Sequence, residues 1–129
     1  MSTRKEIIHT TQAPAPIGPY NQAIRAGNTL YISGQIALSP QTGELVGGSV
    51  AEEARQVLDN LGAVLSETGY TFTDVVKTTI FLRDMNDFAA VNEVYGTYFT
   101  EQAPARETVA VVGLPKNVNV EISAIAWKA

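Results

Sequence analysis

Arg106 and Glu121 are the two residues of this chain whose types and surroundings could do chemistry together. Pro104-Ala105-Arg106 is followed by an alternating run, then by Leu114-Pro115-Lys116, then by Glu121. That spacing predicts one guanidinium and one carboxylate on two strands joined by a short turn. A guanidinium can hold a small carboxylate through parallel hydrogen bonds, and a nearby carboxylate can activate water by taking its proton. Strand parity sorts the neighbours. Along 106–112, Arg106, Thr108, Ala110 and Val112 share one face, and Glu107, Val109 and Val111 the other, because side chains alternate in a strand. Along 118–127 the even set Val118, Val120, Ile122, Ala124 and Ala126 is apolar and predicts the core side, leaving Asn119, Glu121 and Ser123 off it. An arbitrary Arg and Glu on neighbouring strands more often form a weak solvated pair. Spacing alone leaves both readings open.

Other catalytic schemes lack parts. The single histidine, His9, falls on a predicted first strand among Ile7, Ile8 and Thr10, an unpromising place for the base of a Ser-His-Asp triad. With no cysteine there are no thiolate ligands and no disulfides, and a zinc site lacks ligands. Lys5, Lys77, Lys116 and Lys128 lie in no recognisable Schiff-base context. Neither a metal nor a cofactor is expected. Net charge is −4, with nine Lys and Arg spread singly along the chain, whereas a nucleic-acid reader carries a basic stripe. RNA is therefore an unexpected substrate.

The elements that must position these residues follow from pattern. A chain of 129 residues with 45% hydrophobic content suits one domain with a single core. Met1-Ser2-Thr3-Arg4-Lys5-Glu6 leads into only a few apolar residues, too few for a signal segment or a membrane span, which predicts a cytoplasmic protein. Residues 5–9 and 20–26 read as strands, separated by a connection at 13–19 with three prolines. Leu30 and Ile32 alternate with Tyr31 and Ser33 in a third strand that Gly34 ends or bulges. Pro40-Gln41-Thr42-Gly43 is a turn. Ser49 opens an S-x-x-E capping box with Glu52, and Val50, Ala54, Val57, Leu58, Leu61, Val64 and Leu65 recur at helical spacing with Glu53 off that face. Gly69 terminates that helix. Residues 74–83 form a β-branched central strand, and a second helix spans about 86–99 with Phe88, Val91, Tyr95, Tyr98 and Phe99 as its apolar stripe and Asn92 on its edge. Strands at 106–112 and 118–127 complete an α+β order, a mixed sheet with two helices on one face. The uncovered face then needs a partner.

Ala15-Pro16-Ile17-Gly18-Pro19-Tyr20, Tyr31-Ile32-Ser33-Gly34-Gln35-Ile36, Asn86-Asp87-Phe88 with Asn92-Glu93-Val94-Tyr95, Pro104-Ala105-Arg106 and Leu114-Pro115-Lys116 resemble, in order, the signature blocks of the RidA/YjgF family of reactive intermediate deaminases. The resemblance implies a chorismate-mutase-like fold assembled as a homotrimer, three sheets around a central β-barrel, with active sites in clefts between subunits. It implies hydrolysis of enamines and imines such as 2-aminoacrylate and 2-iminobutanoate to 2-oxo acids and ammonium, without cofactor. These intermediates leak from pyridoxal-phosphate enzymes, so a functional link to those enzymes without a stable complex is implied. Arg106 would clamp the substrate carboxylate and Glu121 would activate water. Tyr20, Ser33, Gly34, Asn92 and Thr108 would line the pocket. Position 108 departs from the best-known bacterial pattern, which has Cys, so a thiol proton relay has no counterpart here. Two rivals stand beside this reading: a non-catalytic 2-oxo acid binder, which has no need of Glu121, and an endoribonuclease or translation inhibitor, which the acidic balance disfavours.

Overall fold

Ser49 caps the longest helix as its sequence predicts, its side chain accepting a bond from the Glu52 amide at 3.2 Å. The computed structural model describes residues 4–129; residues 1–3 at the start of the amino-terminal segment lie outside them. Six strands form one sheet: β1 (Glu6–Ile8), β2 (Ala23–Ala26), β3 (Thr29–Gln35), β4 (Val75–Leu82), β5 (Ala105–Ala110) and β6 (Val120–Trp127). Helices α1 (Val50–Glu67) and α2 (Phe88–Tyr98) complete the α+β fold. Beyond α1, Gly69 (φ +80°) is left-handed. The Tyr70 and Gly69 amides there donate to the Leu65 and Ser66 carbonyls, a Schellman ending.

The sheet order is β1-β2-β3-β6-β4-β5, antiparallel throughout except for the parallel pair of β4 and β5. The predicted short-turn neighbours β5 and β6 are therefore not adjacent. Parallel strands need a crossover. Helix α2 supplies it, carrying β5 to the outer edge of β4 while β6 takes the inner one. The sheet is open, so one chain does not by itself close a barrel. Several bounds are shorter than the pattern predicts. The proline-rich connection delays β2 to Ala23, leaving Tyr20 outside it, and β1 ends before His9, which is exposed. Gly34 does sit in a bulge, where the register of β3 on β6 shifts between Ile32 and Gln35.

The core lies between the sheet and the helices. Leu30 and Ile32 of β3, Ile80 and Leu82 of β4, and Val120 and Ile122 of β6 meet Val57, Leu58, Leu61 and Leu65 of α1 and Val91 and Tyr95 of α2. Glu53, expected off the apolar face of α1, is buried instead: its carboxylate accepts from both the backbone amide and the side-chain amide of Asn119. That pins α1 to the entry of β6. The opposite sheet face carries the row Ile7, Ile24, Tyr31 and Ile125 with Tyr31 still 50% exposed, and no element among the described residues covers it.

Candidate functional site

Arg106 lies on edge strand β5, paired in register with buried Thr78 of β4, and so points to the helix side of the sheet. Its Nη1 donates to Asn92 Oδ1 at 2.7 Å. Its guanidinium carbon lies 4.8 Å from the Tyr95 ring centroid and 5.7 Å from that of Phe88. Phe88, Asn92 and Tyr95 fall on one face of α2 because residues three and four apart align on a helix. Thr108 follows on the same face of β5, and its hydroxyl is buried with no hydrogen-bond partner among the described residues. Ile80, Leu82 and Val91 close the pocket beneath these groups. Arg106, Thr108 and Asn92 are thus brought together.

Glu121 is elsewhere. It pairs with Phe81 of β4, and Phe81 is three residues from Thr78, so the pleat turns Glu121 to the face opposite Arg106. The carboxylate is half-buried, and burial alone pushes its pKa up. It lies in a cleft of about 40 Å³ lined among others by Tyr20, Gln22, Gly34 and Pro115. A Cβ at Gly34 would fall 2.8 Å from Glu121 Oε2, so glycine makes the room that the carboxylate occupies. Tyr20 is held by a bond from the Ile17 amide to its hydroxyl. Ser33 is not among the residues lining that cleft, and its hydroxyl donates to the Asn21 carbonyl at 2.6 Å.

Gln22 is a part of this cleft that sequence reasoning missed. Its buried side chain accepts from the Thr10 amide and donates to the carbonyls of Thr10, Ala13 and Pro14. It thereby holds a proline-rich strap that has too few amides to join the sheet. The signal was available only as a polar residue at the edge of a strand. Pro115 reaches the cleft from a turn in which Lys116 (φ +56°) and Asn117 (φ +55°) are both left-handed, steadied by Arg83 Nη1 donating to the Asn117 carbonyl at 2.9 Å. A wider open groove of about 420 Å³ lies away from both clefts. There Arg25 is paired with Glu6 at 2.7 Å and Lys128 Nζ donates to the Gly69 carbonyl, so its cations are already engaged. Among the described residues no group of three or more His, Cys, Asp or Glu could hold a metal ion.

Sheet, helices and clefts define a small α+β protein with a guanidinium and a half-buried carboxylate in separate small clefts. Residues 10–128 match the family described as Endoribonuclease L-PSP. The chain is 54% identical over 122 residues to a mouse protein named 2-iminobutanoate/2-iminopropanoate deaminase, covering 95% of this chain and 90% of that one. The crystal structure of the Escherichia coli YjgF gene product superposes with a TM-score of 0.91 at 49% identity, covering 96% of this chain and 99% of that one. E. coli TdcF with bound serine gives a TM-score of 0.91 at 45% identity, covering 96% and 99%. The chain belongs to the RidA/YjgF family.

Proposed function

We propose that the protein is a deaminase that hydrolyses small 2-imino acids and their enamine tautomers to 2-oxo acids and ammonium, at sites completed between copies of the chain in a homotrimer. The observation that carries this reading is the half-buried Glu121 carboxylate in the cleft beside Tyr20 and Gly34, which a simple carboxylate binder would not need. Arg106, with Asn92 on one nitrogen, keeps its remaining N–H groups for a substrate carboxylate, and the Thr108 amide and hydroxyl lie beside it. Glu121 takes a proton from water as the oxygen adds to the carbon of the N-protonated imine, giving a neutral carbinolamine. It returns that proton to the nitrogen, the C–N bond breaks as the hydroxyl oxygen forms the carbonyl and gives its own proton to Glu121, and the departing ammonia takes that proton as ammonium, leaving a 2-oxo acid. A raised pKa suits both steps, because the group must accept and then give back the same proton.

Arg106 and Glu121 face opposite sides of one sheet, so one chain cannot present both to one small substrate. A second copy laid against the open face brings the Glu121 cleft of one chain to the Arg106 edge of another, and the exposed Tyr31, Val109 and Trp127 supply apolar surface for that contact. The naming of the mouse relative and the serine bound to TdcF support a ligand with an amino-acid skeleton. The expected setting is the cytoplasm, where pyridoxal-phosphate enzymes release such imines. The description Endoribonuclease L-PSP favours a second reading, RNA cleavage. The acidic charge balance and the exposed solitary His9 weigh against it. Threonine dehydratase coupled to the purified protein tests the proposal: the imine signal should decay faster with protein present, and an unchanged decay over a range of protein concentrations rejects it.

A further inference from the structure

An arginine on an exposed edge strand has many rotamers, and a clamp works best when its geometry is set before the ligand arrives. The contacts around Arg106 show how that is done. The Tyr95 ring lies under the guanidinium at 4.8 Å. Its hydroxyl shares a 2.7 Å hydrogen bond with Thr78, the residue paired in register with Arg106. Ring and guanidinium are therefore hung from the same rung of the sheet. The ring is stacked at 4.4 Å on Phe99, which Phe72 meets edge-on at 5.2 Å. Asn92, one turn earlier on α2, takes Nη1. The plane of the guanidinium is thus set by Tyr95 and its in-plane orientation by Asn92.

We infer that Tyr95 is a positioning residue for the Arg106 clamp, aiming the guanidinium through a cation–π contact that the Thr78 hydroxyl holds in place. This rests on the deaminase reading for its ligand, but its geometry stands apart from it. The sequence stripe that placed Tyr95 in the core was half the story: the ring is buried, and one part of its surface serves the edge strand. A cation–π contact at an exposed arginine such as Arg106 is worth about 2- to 5-fold in affinity, and its loss acts on carboxylate binding rather than on proton transfer.

The test pairs kinetics with crystallography on the assembled protein. With imine generated in situ, Tyr95→Leu should raise KM about 4-fold while kcat stays within about 2-fold. Tyr95→Phe, which keeps the ring, should stay within about 1.5-fold of wild type in both. In crystals of Tyr95→Leu the Arg106 guanidinium should leave Asn92, and in Tyr95→Phe it should remain. Should the leucine variant not fold, Tyr95→Met fills the volume without a ring and reads the same contact. A fall in kcat at unchanged KM, or Arg106 still on Asn92 once the ring is gone, overturns the inference. Absence of deaminase activity in the wild-type protein would instead reject the proposed function, and the crystallographic comparison would still decide the role of Tyr95.

Discussion

Arg106 and Glu121 meet opposite physical demands. The guanidinium needs orientation, which Asn92 provides at 2.7 Å. The carboxylate needs a raised pKa, and its half-buried cleft provides one. Arg106→Ala should lower deaminase efficiency about 100-fold or more, and Arg106→Lys should recover little, because an ammonium cannot reproduce the planar fork. Glu121→Gln should lower turnover on the order of 10²–10⁴-fold with little change in calorimetric binding of 2-oxobutanoate. The raised pKa fixes a sign as well. Burial disfavours the charged form, so the contribution of Glu121 to folding is full at acid pH, below its unfolded-chain pKa, and is lost as pH rises through the folded pKa. Glu121→Gln should therefore gain melting temperature over wild type at neutral pH and lose that advantage in acid, as scanning calorimetry at several pH values would show. The acid limb of the wild-type rate profile should sit above the usual carboxylate range. Thr108→Ala keeps the strand amide and removes a buried hydroxyl that has no partner among the described residues. It should retain most activity in the coupled assay, and a folded but inactive variant would make that hydroxyl the proton-transfer group.

The elements show which parts of the site could be read from the chain and which could not. Helix α1, its serine cap and its glycine ending follow from local pattern, because each depends on a few consecutive residues. The parity of β5 and β6 was equally legible: Arg106 and Thr108 share a face, and Glu121 lies off the core side. What parity could not give was the sheet order, since the β4-α2-β5 crossover inserts β4 between strands that are consecutive in sequence. The pairing of guanidinium and carboxylate within one chain fails because β4 separates their strands and because, through it, Arg106 and Glu121 leave opposite faces of the sheet. Long-range side-chain bonds were equally illegible. Glu53 sits where helical periodicity predicts a solvated acid, yet it receives two donors from Asn119, two residues before Glu121. Glu53→Ala would leave a part-buried backbone amide unpaired, so it should cost about 2 kcal/mol in denaturant unfolding. Glu53→Gln retains an acceptor and should cost less.

At the scale of the whole molecule the uncovered sheet face is the unfinished part of the fold. A face bearing Ile7, Tyr31 and Trp127 at half exposure or more is a contact surface in need of an occupant, and under the proposed function a second copy of the chain would also complete a site whose halves face apart. With a chain mass of 13.8 kDa, a closed cyclic trimer should weigh about 40 kDa by light scattering, and a monomeric mass at micromolar concentration would remove the proposed assembly. Shared sites make a stronger demand. Arg106→Ala and Glu121→Gln trimers should each be nearly inactive, yet unfolding them together and refolding the equimolar mixture should restore activity. Each site draws its arginine half and its glutamate half independently from the two variants, so about one quarter of sites should be intact. Recovery near that fraction places the two residues on different chains within each site. If the mixture stays as inactive as its components while co-assembly is demonstrated by mass spectrometry of differently tagged chains, the two groups do not meet across an interface, and the catalytic pairing fails.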